Sequence, residues 1–301
     1  MRAAVECSGL TKAFGSTVAI DNLSFKLPAN KITGLIGRNG AGKTTLLKLI
    51  AGYLAPTGGS VKVFSENPFN NVRVSANLIF VDDKMTMPQS LNLGEILEAV
   101  GGFYENWDHR LARGLLEYFN LNPRQHHYNL SKGMKSTFNM IVGIAARCPL
   151  TIFDEPTVGM DAAVRKDFYR ALLKDFLQHP RTVFFSSHLL NEISEILDDI
   201  LLLDQGRCRL YMTKDAVKEF AVGLQGKEEA VAAIAGGSEI FYRKKLGPEN
   251  LYLVVPNRFS EEELLAARRK GVEVSAVPAE DLCVYLTAKH KGGIDDVFDR
   301  N

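Results

Sequence analysis

The eight residues Gly37-Arg38-Asn39-Gly40-Ala41-Gly42-Lys43-Thr44 fit the spacing GxxxxGK followed by Ser or Thr. Glycine lets the backbone curl tightly, so that successive N–H groups point inward at phosphate oxygens. A short apolar run, Lys31–Ile36, precedes the loop, and a helical pattern, Lys43–Ala51, follows it. The positive end of a helix would then face the same anion. Lys43 is placed to bridge the β- and γ-phosphates of a nucleotide, and the Thr44 hydroxyl to ligate Mg²⁺. A second pattern, Leu150-Thr151-Ile152-Phe153-Asp154-Glu155, is a mostly apolar strand ending in two carboxylates. At a strand tip Asp154 would sit beside the Mg²⁺. Glu155 would lie next to the γ-phosphate, where a carboxylate can orient or deprotonate a water.

Between these motifs lies Leu130-Ser131-Lys132-Gly133-Met134, and after them comes Ser186-Ser187-His188. Phosphate loop, LSxG segment, Asp-Glu strand and a following histidine, in that order, resemble the nucleotide-binding domain of ABC transporters over about Val5–Tyr211. The resemblance implies further roles. Phe14 matches the aromatic residue that stacks on adenine. Asn39, Gly40, Ala41, Gly42, Lys43, Thr44 and Thr45 would wrap the phosphates. Ser131 and Gly133 match signature residues that contact the γ-phosphate held by an opposite subunit. Asp161, in Gly159-Met160-Asp161, matches the acidic residue of the D-loop, and His188 the switch histidine that reaches the γ-phosphate. The signature commonly reads LSGGQ, so Lys132 and Met134 replace Gly and Gln. The D-loop has Val158 and Met160 where Ser and Leu are usual. No glutamine stands at the Q-loop position near Phe80-Val81-Asp82-Asp83. The alignment puts Asp83 there, with Asp82 as the alternative, so a carboxylate is expected near the Mg²⁺.

The elements that must hold these residues read as an α/β fold. The expectation is a P-loop ABC ATPase domain with a parallel core sheet, an antiparallel β subdomain and a helical subdomain. An antiparallel opening, Val5–Leu10 and Val18–Leu27, turns at Phe14-Gly15-Ser16. Val61–Phe64, Leu78–Val81, Leu150–Phe153 and Thr182–Ser186 are short strands, with a helix over Ala163–Leu177. Leu93, Ile96, Leu97 and Val100 repeat at helix spacing, as do Leu111, Leu115, Leu116 and Phe119, which marks a helical subdomain at about 84–148. Ile200–Leu203 and Arg207–Tyr211 close this part as a hairpin. Alternating strands and helices imply a parallel sheet. The remainder reads β-α-β-β-α-β plus a last helix from about Ala279 to Lys289, a small α+β domain. The expected domains are 1–215 and 216–301, the second a regulatory or dimer-stabilising module.

Composition narrows the function. With 46% hydrophobic and 24% charged residues, the chain can bury a core. A formal net charge of +1 gives no support to nucleic-acid binding. No apolar run approaches the roughly 20 residues of a membrane span, and the N-terminal MRAAVECSGL lacks the apolar stretch of a secretory signal. Cys7, Cys148, Cys208 and Cys283 form no CxxC pair and read as reduced buried thiols. Adjacent His126 and His127 would not face one way on a helix, so they do not read as metal ligands.

The resemblance then implies ATP hydrolysis, with ATP and Mg²⁺, at the interface of a head-to-tail homodimer or heterodimer. It also implies a separate transmembrane permease and a cytoplasmic location on the inner face of the membrane. The Ala279–Leu286 tail and the Phe103–Asp108 stretch resemble those of exporter ATPases, which favours export. The alternative is an ABC ATPase in a non-transport role: mechanical signalling on a membrane partner, or translation or DNA maintenance.

Overall fold

The computed structural model describes residues 3–188 and 190–288, which fall into two compact units, divided along the chain between Tyr211 and Met212. The first unit is built on a six-stranded sheet. Its strands run in the order Leu78–Asp82, Leu150–Asp154, Thr182–Ser187, Ile32–Ile36, Asp199–Asp204 and Arg207–Thr213. The first five are parallel. Ile32–Ile36, Leu150–Asp154 and Thr182–Ser187 are buried at every residue. A parallel strand covered on both faces has this near-continuous apolar sequence. Thr151 sits within it because its hydroxyl is close enough to donate to the Cys148 carbonyl, at 3.4 Å.

Register is what turns this sheet into a platform. Asp82 pairs with Asp154, Asp154 with Ser186, and Ile36 with Ser187. The carboxyl ends of four strands therefore finish level, which is where ligands bind in open α/β sheets. A second, antiparallel sheet of Thr17–Pro28, Ala3–Phe14 and Gly58–Val63 lies alongside. Leu10, Ile20, Leu35, Leu46 and Phe184 belong to one buried cluster that joins it to the core sheet through the helix Lys43–Ile50.

Three longer helices, Leu93–Gly101, His109–Tyr118 and Lys132–Ala145, lie in the stretch between Asp83 and Leu150. Asn92 and Glu95 close a capping box on the first, and Asp108 caps the second. The third packs tightly on the core strand that ends in the carboxylate pair. A Cβ on Gly143 would come within 2.6 Å of the Phe153 ring. Trp107 packs edge-on to His109. Short helices at Val72–Ala76 and Lys214–Glu219 have no counterpart in the periodicity, because one or two turns show too few repeats to register.

The second unit has an antiparallel sheet in the order Tyr242–Lys245, Asn250–Pro256, Ala221–Lys227, Glu273–Ala276. Helices Glu228–Ala235 and Glu261–Arg269 intervene in the chain, giving the β-α-β-β-α-β order. Val222, Leu224, Val231, Leu251, Leu253 and Val272 form its core. A final helix spans Ala279–Leu286; Lys289, the expected end of that helix, lies outside the described residues.

One ionic cluster in the first unit ties helices to strand. The Asp175 carboxylate, 4% exposed, accepts from Arg147 on one oxygen and from Arg181 on the other, each at 2.7 Å. Arg147 also pairs with Asp108 at 2.9 Å. Without Asp175 the buried Arg181 would lose its only carboxylate among the described residues, while Arg147 would keep Asp108; breaking a buried pair costs about 3–5 kcal/mol. Asp175→Ala is therefore expected to lose about that much stability in urea denaturation. A loss under about 1 kcal/mol, the range of an exposed pair, would contradict the account.

Candidate functional site

The turn after Ile36 is closed by Ala41 N–H donating to the Arg38 carbonyl at 3.0 Å, and Gly206 N–H donating to the Ala41 carbonyl at 2.9 Å. Gly42 holds φ +104°, and a Cβ there would stand 2.5 Å from the Ala19 carbonyl oxygen, so no other residue fits. The helix Lys43–Ile50 begins at once, with Lys43 and Leu46 turned inward and Thr44 exposed. The Lys43 side chain is only 6% exposed. It donates to the Gly37 carbonyl at 2.8 Å and lies 3.2 Å from Glu155 Oε1.

The two carboxylates are held differently. Asp154 is buried, and its Oδ1 accepts from Ser186 Oγ at 2.7 Å. The same Ser186 oxygen accepts from the Glu155 N–H at 2.9 Å. Glu155 itself has φ +47°, which a side chain with a Cβ adopts at a cost of order 1–3 kcal/mol. This turn points its carboxylate between two nitrogens. Oε1 meets Lys43, and Oε2 lies 2.6 Å from His188 Nδ1. The sequence marks Ser186 only as part of the Ser186-Ser187-His188 run, with no role of its own. Only the register opposite Asp154 reveals it.

A cavity of about 560 Å³ opens here, walled by the phosphate-loop residues Arg38–Thr45 together with Asp82, Asp83, Asp154, Glu155 and His188. Lys43, Thr44, Asp154, Glu155, His188 and Asp83 are thus gathered at one site. Thr17, Val18 and Ala19 supply the wall from the antiparallel hairpin. Phe14, paired with Thr17 at the end of that hairpin, is not among the lining residues. Its half-exposed ring carries the Lys12 ammonium 5.0 Å from its centroid.

Asp82 and Asp83 differ in surroundings. The Asp82 carboxyl is pushed above the usual carboxylate range by burial, and the charges of Asp154 and Asp83 push the same way. A hydrogen bond from Lys84 N–H and the charge of Lys48 pull it back. Its carbonyl accepts from Asn139 Nδ2 at 3.3 Å, and Asn139 Oδ1 lies 3.0 Å from His127 Nε2. His127 is a buried hydrogen-bonding residue, with burial lowering its pKa. Asp83 Oδ2 lies 3.7 Å from Lys132 Nζ.

Ser131, Gly133 and Asp161 are not among the residues that line the cavity, though Val158, beside them, is. Ser131 caps the helix Lys132–Ala145, accepting from Met134 N–H at 3.3 Å. Gly133 is pressed against the segment Val158–Met160: a Cβ would sit 2.4 Å from the Gly159 carbonyl oxygen. Ser136 Oγ donates to the Val158 carbonyl at 2.8 Å. Asp161 caps the next helix through Ala163 and Val164 N–H.

A family model described as "ABC transporter" matches residues 20–158. The Enterococcus faecalis bacitracin transport ATP-binding protein BcrA is 30% identical over 223 residues, 68% of this chain and 68% of that protein. The chain belongs to the ABC transporter ATP-binding family. The Nod factor export ATP-binding protein I of Mesorhizobium japonicum is 26% identical over 301 residues, covering 95% of this chain and 87% of that one. A solved ATP-binding subunit of an ABC transporter superposes with a TM-score of 0.65 at 22% identity, over 71% of this chain and 92% of its own, which speaks to the fold. This ABC ATPase is an ATP-binding transporter subunit whose chemistry is ATP hydrolysis. Among its described residues, no helix is long and apolar enough to cross a membrane.

The raised pKa of Asp82 has a consequence for stability. An acid whose folded pKa exceeds its unfolded value destabilises the fold once ionised, so stability falls as pH rises through that pKa. Asp82→Asn keeps an acceptor for Lys84 N–H and removes the charge. Its thermal midpoint should exceed that of the wild type at pH 7, with the gain vanishing toward about pH 4. A variant destabilised at pH 7 would contradict the assigned cause.

Proposed function

We propose that this subunit hydrolyses ATP at the interface of a head-to-tail pair and drives export through a separate membrane permease, from the cytoplasmic face. The observation that carries the chemistry is the Glu155 carboxylate, held between the Lys43 ammonium and His188 at the mouth of the phosphate loop. Lys43 and the N–H groups from Asn39 to Thr45 bind the β- and γ-phosphates. The Lys43 charge is then shared with phosphate, and Glu155 becomes available to take a proton from the attacking water. His188 steadies Glu155 and reaches the γ-phosphate. Phe14 stacks on adenine.

The residues suit Mg²⁺. The exposed Thr44 hydroxyl and the Asp154 carboxylate are hard oxygen donors on the cavity, and Mg²⁺ commonly takes one or two protein ligands beside substrate phosphates. Bound there, it would neutralise charge on the phosphoryl oxygens. The Asp83 carboxylate, which the resemblance also places near the metal, lies on the same cavity and 3.7 Å from Lys132 Nζ.

Ser131 and Gly133 do not line the cavity of their own chain, which supports a site completed by a second subunit. Asp161 holds the D-loop between them, as the cap of the helix that follows. The Nod factor export relative supports transport outward. The domain 216–301 is an accessory module, and 1–215 carries the ATPase.

Glu155→Gln keeps the side-chain shape and removes the base. It is expected to lower turnover by about 10²–10⁴-fold, with ATP affinity within a few-fold of wild type. ATPase assays paired with equilibrium nucleotide binding check this. Near wild-type turnover would refute Glu155 as the base.

A further inference from the structure

Two departures from the family's motifs carry opposite charge. By the resemblance, Asp83, with Asp82 as the alternative, stands where glutamine is usual, and Lys132 where glycine is usual. The sequence offers no link between them, yet the fold brings Asp83 Oδ2 within 3.7 Å of Lys132 Nζ. Asp83 lines the nucleotide cavity, and Lys132 opens the helix that Ser131 caps. The Asp83 side chain is 30% exposed and that of Lys132 is 63% exposed. An exposed pair of this kind is weak, so either partner can be drawn away. The Lys132 stem is nevertheless guided: a Cβ on Gly159 would meet its Cγ at 3.2 Å. Local helix stability does not account for the lysine. The first turn holds no acidic residue, and a cation at a helix start opposes the dipole.

We propose that Asp83 and Lys132 form a charge latch. In the single subunit Asp83 holds the signature lysine against its own nucleotide cavity. When the head-to-tail pair closes, the γ-phosphate bound by the facing subunit takes Lys132 from Asp83. This rests on the head-to-tail reading above. A phosphate carries more charge than one carboxylate and binds a lysine ammonium as a point charge, so it wins the exchange. Asp83 therefore opposes closure, and Lys132 favours it. The two motif departures act as one device that ties the Q-loop position to the signature.

The test uses the full chain in the Glu155→Gln background, with sedimentation equilibrium at saturating Mg²⁺ and ATP. Lys132→Ala is expected to weaken ATP-driven self-association by about ten-fold, the scale of one lost charge-assisted hydrogen bond. Asp83→Asn should strengthen it. The double variant should match Lys132→Ala alone, because Asp83 acts through Lys132. Association unchanged by Lys132→Ala would overturn the latch. So would an Asp83→Asn effect that persists without Lys132, for instance a raised Mg²⁺ requirement in both backgrounds. Absence of any ATP-driven association in the Glu155→Gln chain would overturn the head-to-tail reading, and the latch with it.

Discussion

The constraint on which this fold turns is a buried cation. The Lys43 side chain is only 6% exposed, and a charge on so buried a side chain must be paired or hydrogen-bonded. It finds the Gly37 carbonyl and the Glu155 carboxylate. Both partners belong to other elements, so the loop, the first helix and the Asp-Glu strand tip cannot move independently. A phosphate in the same place meets an ammonium already aimed and already dry. Preorganised charge of this kind acts far more strongly than the same group in water.

The strand register supplies the rest of the precision. Asp154 lies directly opposite Ser186, whose hydroxyl donates to its carboxylate and accepts from the Glu155 N–H. One buried hydroxyl thereby fixes Asp154 and the strained turn at Glu155 together. The strain at φ +47° is held by the strands on either side, and it aims the carboxylate across the cavity mouth. A longer or relaxed turn would leave Glu155 beside Asp154, where two carboxylates would repel.

The phosphate loop was legible in the sequence because its glycines and lysine must sit at fixed offsets whatever surrounds them. The Asp154-Glu155 pair was legible from an apolar strand ending in acid. The β-α-β-β-α-β order after Tyr211 followed from periodicity and appears as an antiparallel sheet with two helices. The hydrogen bonds of Ser186 to Asp154, and of His127 and Asn139 toward Asp82, were not legible. Their link to Asp154 and Asp82 is made by strand pairing and packing between distant segments, which leave no local spacing. The Asp83–Lys132 pair escaped for the same reason: two departures noted singly became complementary only when the fold brought them together. The Val72–Ala76 and Lys214–Glu219 helices were too short for a repeat to show.

On the proposed reading, the group around Ser131 and Gly133 is half of a site whose other half is the phosphate loop of a second subunit. Asn39 and Ser131 are both exposed, so cysteines at these positions test that arrangement directly. The chain carrying Asn39→Cys, Ser131→Cys and Glu155→Gln would be oxidised with Mg²⁺ and with or without ATP, then separated without reductant. The account predicts a disulfide-linked dimer that increases with ATP and is absent when either cysteine is omitted. A chain that stays monomeric in saturating ATP would contradict the head-to-tail site.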